Sequence, residues 1–323
     1  MPPDLQADRS ALDEALADLR ALAHTDRGVL EAIICGAVAV PPLRALLFAP
    51  EPSGLFAPRC AAGEALAALG AEDVLIDFLA ASHQIAETVS RVGTEAVMDC
   101  AARALMRSEN PRLPALLRHL AETRLLPGVI EWLGAHGRIE TLPCLIRALG
   151  DDLAFPSAIT ALHSLGAVAL PALWRAVLDP SPDGDHETDT SRRRRRAALT
   201  VLHDIGADAD GGAAPAGALQ RLTDDRDSGI STAALCWQLD ADPAADRHAV
   251  ALRLVAALDR DDIAVRYDSE SCLKRHAGLA RSLLTEIDRG DVVMTEAGRR
   301  VLGRLAARLG VAPDVTPPGK QSR

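Results

Sequence analysis

Positive charge is the first chemistry the chain offers, and nearly all of it is arginine: Lys274 and Lys320 are the two lysines. Five arginines stand consecutively, Arg192 to Arg196, in "TDTSRRRRRAALTVLHDIG" (188–206). Guanidinium groups recognise carboxylates and phosphates through paired hydrogen bonds. On an α-helix, however, five successive residues sweep about 400° and cannot share one face. At least one must turn toward the core. Arg195 stands eleven residues before Gly206, as Arg59 stands eleven before Gly70, which marks it as the one that fills a repeated position. Arg192, Arg193, Arg194 and Arg196 form a secondary candidate anion site. Asp179, Asp183, Asp185, Glu187 and Asp189 lie just upstream, so pairing within an acidic loop is the favoured reading of the run.

Three isolated arginines are better placed for binding. Arg118, Arg147 and Arg175 each stand four residues after the proline of "LPALLRHL" (113–120), "LPCLIRAL" (142–149) and "LPALWRAV" (170–177). On a helix they point about 150° away from the apolar stripe of the same segment. With neighbouring helices about 8–10 Å apart, the three would make a ladder of roughly 20 Å, suited to an acidic or extended protein segment. Pairing to neighbouring acids is the competing reading.

Other chemistry is weakly supported. His163 and His203 occupy matched places in "ITALHSLG" and "LTVLHDIG", and a structural, partly buried role is expected for both. Cysteines 35, 60, 100, 144, 236 and 272 show neither CxxC nor zinc spacing and are read as reduced, small core residues. Gly-rich phosphate loops, nucleophile elbows and paired catalytic carboxylates are absent. The stretch "ADGGAAPAGAL" (209–219) reads as a turn. No cofactor and no metal are expected.

The elements that position these residues emerge from internal repetition. "ITALHSLG" (159–166) returns forty residues later as "LTVLHDIG" (199–206), and "EALAALG" (64–70) and "VIEWLG" (129–134) end in the same glycine. Such a glycine is a helix C-terminal signal. The Leu-Pro segments, with "VPPLRALL" (40–47) as a looser copy, start new helices, since proline is tolerated in the first turn. Leu113, Leu116, Leu117 and Leu120 make one apolar face, as do Leu142, Leu145, Ile146 and Leu149, and Leu170, Leu173, Trp174 and Val177. Acids after these helices, in "GDD" (150–152), "DPSPD" (179–183), "TDD" (223–225) and "DRDD" (259–262), are placed to cap the next helix.

Each unit is therefore a helix A, a turn and a Pro-started helix B, and neither helix buries its apolar face alone. Stacking predicts an all-α fold, an α-solenoid of antiparallel helix pairs. Aromatic content of only 2% within 48% hydrophobic residues agrees with close-packed Ala, Leu, Val and Ile. Pairs are expected near 29–48, 59–81, 94–121, 125–149, 155–178, 192–222, 230–258 and 265–288. The predicted organisation is a capping helix in 1–27, a solenoid over 28–310 with an acidic insert at 179–191, a closing helix near 295–309 and a disordered tail at 311–323.

Through "RCAAGEALAALG" (59–70) and "ALHSLG…LPALWRAVL" (161–178) the chain resembles bacterial HEAT-repeat proteins, including the phycobilisome-lyase-like HEAT group, over roughly residues 28 to 290. That resemblance implies a HEAT-like superhelix with B helices on its concave side, and a function among scaffolds, adaptors, lyases and a few enzymes. Repeated His-Glu pairs, which carry iron in the HEAT-like deoxyhypusine hydroxylases, are missing. The HEAT-like DNA glycosylases bind DNA through a basic, aromatic-bearing face, whereas this chain carries a net charge of −10, which argues against nucleic acid. The N-terminus has acids where a signal peptide needs cations, and no segment approaches the ~18 apolar residues of a membrane span. The expectation is a cytoplasmic, non-catalytic protein-binding scaffold or adaptor, with no membrane partner. The alternative is a lyase-like enzyme or chaperone acting on a modified protein, which exposed Cys or His converging in a closed pocket would favour.

Overall fold

The computed structural model describes residues 3–21, 23–50, 54–81, 87–137, 139–183, 186–208, 215, 217–241, 246–289 and 295–308. The tail expected at 311–323 and most of the turn at 209–219 lie outside them. The fold is all-α. Among the described residues the strands are two short ones, β1 (Pro182–Asp183) and β2 (His186–Glu187), paired antiparallel within the acidic stretch. The chain forms two compact units, Met1–Ala172 and Leu173–Arg323.

In the first unit the helices are α1 (Pro3–Arg20), α2 (Thr25–Cys35), α3 (Val40–Phe48), α4 (Ala57–Ala68), α5 (Glu72–Ala80), α6 (Thr88–Ala104), α7 (Leu113–Thr123), α8 (Pro127–Ala135), α9 (Leu142–Ala148) and α10 (Phe155–Leu165). The next helix, α11 (Leu170–Leu178), spans the division between units. Helices α2, α4, α6, α8 and α10 pack each on the next as one row; α3, α5, α7 and α9 do so as a second row. The rows join through contacts such as α4 with α5 and α8 with α9, and α1 lies on α2 and α4. Prolines occupy the first turn of α3, α7 and α9, where a missing N–H costs nothing. Each apolar stripe faces inward: Leu113, Leu117 and Leu120 are buried, as are Leu142, Leu145 and Leu149.

The second unit repeats the plan. It holds α12 (Asp189–Asp208), α13 (Ala218–Thr223), α14 (Ser228–Ala241), α15 (Arg247–Ala257), α16 (Ile263–Arg275), α17 (Ala277–Arg289) and α18 (Glu296–Arg308). One row runs α12, α14, α16, α18, and α15 with α17 stands alongside. Its aliphatic core includes Leu235, Leu239, Leu254, Leu273 and Leu305.

Turn chemistry follows the expected acids. Asp151 accepts from the N–H groups of Leu153 (3.0 Å) and Ala154 (2.9 Å), and Asp262 caps α16 by accepting from Ala264 N–H (2.9 Å). The glycines divide into two kinds. Gly70 (φ 72°) and Gly166 (φ 57°) hold the left-handed conformation expected at helix ends. Gly134 and Gly206 fall in the last turns of α8 and α12, one and two residues before the ends described, but without the left-handed conformation. A Cβ on Gly134 would strike Ala161 of α10, so this glycine serves the close approach of two neighbouring helices. Likewise, segments 25–48 and 155–178 do reach the length and hydropathy of a membrane span, contrary to expectation. Each is interrupted by a 3-10 turn, Gly36–Ala39 or Gly166–Ala169, that starts at a positive-φ glycine.

Candidate functional site

Arginine chemistry separates into a paired group and an exposed group. The run of five starts α12, and Arg195 is the member that turns inward: only 3% of the residue is exposed. Its Nε donates to the carbonyl of Val177 at the end of α11 (2.7 Å), and its Nη atoms pair with Glu187 (2.7 Å) and Asp225. Arg59 does the corresponding work in the first unit, donating from Nε to Leu47 O at the end of α3 (2.9 Å). The matched spacing to glycine thus marks a buried arginine at the start of a helix that ties down the carboxyl end of the preceding helix.

The other four are spread around the helix. Arg192 pairs with Asp189, Arg194 donates to Asp179 O (3.2 Å) and Ser181 Oγ (3.0 Å), and Arg193 is exposed. Arg196 makes a two-pronged pair with Asp227, both contacts at 2.8 Å. The adjoining cavity of about 520 Å³ is lined by Glu187, Asp225 and Asp227 alongside Arg192, Arg195 and Arg226. Three carboxylates offset three guanidinium groups there, Glu187 from the acidic loop and Asp225 and Asp227 from the turn between α13 and α14, and together they supply the counter-charge that an anion would otherwise bring.

Arg118 and Arg147 differ. Both are exposed, on α7 and α9, which pack side by side. Among the described residues neither forms an ion pair; Arg118 Nε donates only to Pro114 O of its own helix (3.3 Å). Both guanidinium groups reach the field of the half-buried Cys144 thiol. Burial pushes that thiol up, Arg147 and Arg118 pull it down, and Glu122 opposes them. Arg175 is exposed at the same place on α11, within the second unit.

A feature not read from the sequence adjoins Arg118. A cavity of about 450 Å³ is walled by Pro111, Pro114, Trp132 and Leu133, with Arg118, Glu109 and Glu140 among its polar lining. Trp132 is fixed by its Nε1 donating to Leu105 O (3.1 Å) and by stacking on His136, ring centroids 4.0 Å apart. Segment 108–111 meets α8 here because Ser108 is held by Glu72 and Asn110 donates to Asp73 (3.4 Å). The result is a recess with apolar walls, lined as well by one guanidinium and two carboxylates, that can receive an apolar side chain.

The matched histidines part company. His163 is exposed, contrary to the partly buried role expected, while His203 is half-buried with its ring edge-on to Trp237 (5.4 Å). No group of three or more metal-ligating side chains occurs among the described residues. Cys236, His203, Asp240 and Arg275 line a recess of about 200 Å³, the one place among the described cavities where Cys and His meet. A hydrogen bond to Cys272 and burial push the Cys236 thiol up, away from the thiolate that nucleophilic catalysis needs. Asp240 carries its charge in a tight cluster: burial raises it, but Arg275 (2.8 Å) and His276 (2.7 Å) outweigh burial and hold it low.

This unit is accordingly expected to lose stability in acid. Asp227 is also held low, burial being overcome by Arg196 and by the N–H groups of Ile230 and Gly229. A carboxylate whose folded value lies below its unfolded value of about 3.9 stabilises the fold above that pH and loses the contribution as pH falls through the folded value. Asp268, raised by burial and by Asp262, works in the opposite sense but alone. The melting temperature is expected to fall from about pH 6 to about pH 3, and to fall less in Asp227→Asn, which keeps the cap on Ile230. Equal falls in both proteins would remove Asp227 from the account.

No protein-family model matches this sequence, and no curated protein is similar to it.

Proposed function

We propose that each unit is a stack of HEAT-like helix pairs, and that the first unit is a non-catalytic docking surface for an acidic, extended protein segment. Arg118 and Arg147 supply the charge contacts, and the recess at Trp132 receives an apolar side chain of the same segment. Arg175 is a charge contact of the second unit by its equivalent place on α11. The observation that carries this reading is the exposure of Arg118 and Arg147 on adjoining helices without an ion-pair partner among the described residues, while Arg103, Arg195 and Arg196 are all paired. Leaving guanidinium groups unpaired on one face keeps their donors available to carboxylates from outside.

The recess also supports a polarity for the bound segment. Glu109 and Glu140 are also in its lining, and they repel acids. The carboxylates of a partner are therefore directed toward α7 and α9. A peptide of Asp and Glu residues around one central photo-reactive leucine analogue is expected to label the segment from Ser108 to Pro114 or α8 on irradiation. Labelling confined to the second unit, or spread evenly along the chain, would overturn this placement.

A further inference from the structure

Three helices of the second unit, α12, α14 and α16, form the recess of about 200 Å³ that His203, Trp237, Asp240, Asp268, Ser271 and Arg275 line. Its polar groups divide into satisfied and unsatisfied. Asp240 answers Arg275 and His276, so Arg275 is already engaged. The Asp268 carboxylate, by contrast, makes no ion pair and no hydrogen bond among the described residues. Arg196 acts on it only through its field and directs its own donors to Asp227 (2.8 Å). Ser271 Oγ likewise has no hydrogen-bond partner among the described residues. The ring nitrogens of His203 stand 3.6 Å from Asp204 and 3.9 Å from Asp240, both beyond hydrogen-bond length.

Solvation at a helix surface accounts for any one of these groups, but not for their gathering around an indole. Trp237 is braced from behind: it stacks on Trp174 with ring centroids 5.3 Å apart, and His203 meets it edge-on. The aromatic wall is therefore fixed before any ligand arrives. Helices α14 and α16 are tied at the same place by Cys236 Sγ donating to Asp268 O (4.0 Å). In the lining, Asp240 and Asp268 stand against Arg275, which leaves one negative charge over. Partial burial and the like charge of Asp262 raise the Asp268 carboxyl, against the pull of Arg196, so a cation in the recess would answer a charge that the fold leaves unpaired.

We propose that this recess binds a primary ammonium on an alkyl chain, as carried by a lysine side chain of a protein partner or by a free alkylamine. An ammonium has three donors and no acceptor. The recess offers three groups able to accept: the Asp268 carboxylate, Ser271 Oγ and the unprotonated ring nitrogen of His203. The indole of Trp237 attracts the cation and covers its alkyl chain. Cavities for drug-sized ligands measure about 300–1,000 Å³; the smaller space here suits a lysine-length chain with one charged head. A guanidinium, whose donors lie in a rigid planar fork, matches dispersed acceptors less well. The site does not depend on the arginine surface of the first unit.

The test follows the indole N–H signals of the isotope-labelled full-length protein by NMR during titration with Nα-acetyl-lysine N-methylamide, with Trp237→Phe identifying the Trp237 signal. A saturable shift of Trp237, with Trp132 unmoved, is the expected result. n-Butylamine separates the two sources: a lysine compound that binds at least as tightly identifies a protein side chain, and binding of butylamine alone identifies a free amine. Nα-acetyl-norleucine N-methylamide, which lacks the ammonium, should leave the signal in place. Asp268→Asn should weaken binding about tenfold or more by removing a charge-assisted hydrogen bond. Asp261→Asn, the same change in charge at an exposed residue outside the recess lining, should not. The amide spectrum checks that both variants fold; should Asp268→Asn unfold, the Trp237 shift and the norleucine comparison in the unmodified chain decide. No saturable shift at Trp237 with either amine, equal binding of the norleucine compound, unchanged affinity in a folded Asp268→Asn, or tighter binding of Nα-acetyl-arginine N-methylamide would each overturn the proposal.

Discussion

Replacing Arg195 by Ala is expected to destabilise the second unit by about 3–5 kcal/mol, the cost typical of removing one partner from a buried ion pair. The side chain is 4% exposed, and its carboxylate partners Glu187 and Asp225 are 17% and 14% exposed. Truncation leaves both charges partly desolvated and takes the Nε donor from Val177 O, which belongs to the last turn of α11. Helix-end carbonyls have no intrahelical partner, so this loss is not compensated locally. Arg195→Lys keeps the charge but not the planar fork that serves three acceptors at once, so an intermediate loss is expected. Arg192→Ala, by comparison, breaks an exposed pair with Asp189 and should change stability by less than about 1 kcal/mol. Urea unfolding followed by hydrogen exchange in α12 and α14 separates this unit from the first. A loss below about 1 kcal/mol for Arg195→Ala would mean that water replaces its contacts and that the buried network is not what anchors α12.

Arg195 was legible in the sequence because its signal is local and repeated: an arginine eleven residues before a glycine, matched by Arg59 and Gly70. The helix starts were legible for the same reason, with proline in the first turn of α3, α7 and α9. Gly134 and Gly206 show the limit of that logic. Both close an amphipathic run near a helix end as Gly70 does, yet neither takes the left-handed conformation that Gly70 holds. Gly134 is required by Ala161, a residue of another helix, and a local pattern carries no information about a neighbour so far along the chain. His163 fails similarly: it matches His203 in sequence, but His203 meets Trp237 and His163 is exposed.

The recess beside Arg118 was not legible at all. It needs Ser108 tied to Glu72, Asn110 to Asp73, and Trp132 locked by Leu105 O, three long-range contacts that no motif announces.

The second large effect concerns binding. Arg118→Glu with Arg147→Glu is expected to leave stability almost unchanged, since both side chains are exposed and Arg118 bonds only to its own helix. Affinity for an acidic segment should collapse. Hydrogen bonds to charged groups contribute about 1.5–3 kcal/mol each, so losing one at each arginine weakens binding by at least about 100-fold. Reversal adds repulsion to that loss. A chain of net charge −10 repels an acidic peptide at long range, so any affinity must come from a local patch, and changing total charge elsewhere should matter little within the screening of physiological salt.

The most direct measurement is the fluorescence anisotropy of a labelled peptide of Asp and Glu residues around one central leucine, titrated with three proteins at physiological salt. These are the unmodified chain, Arg118→Glu/Arg147→Glu, and Arg299→Glu/Arg300→Glu, which makes the same change in net charge on exposed residues of α18. Binding by the unmodified chain and the α18 variant, with loss of about 100-fold or more in the α7/α9 variant, is the predicted result. No binding by the unmodified chain, or equal affinity across all three proteins, would contradict the account.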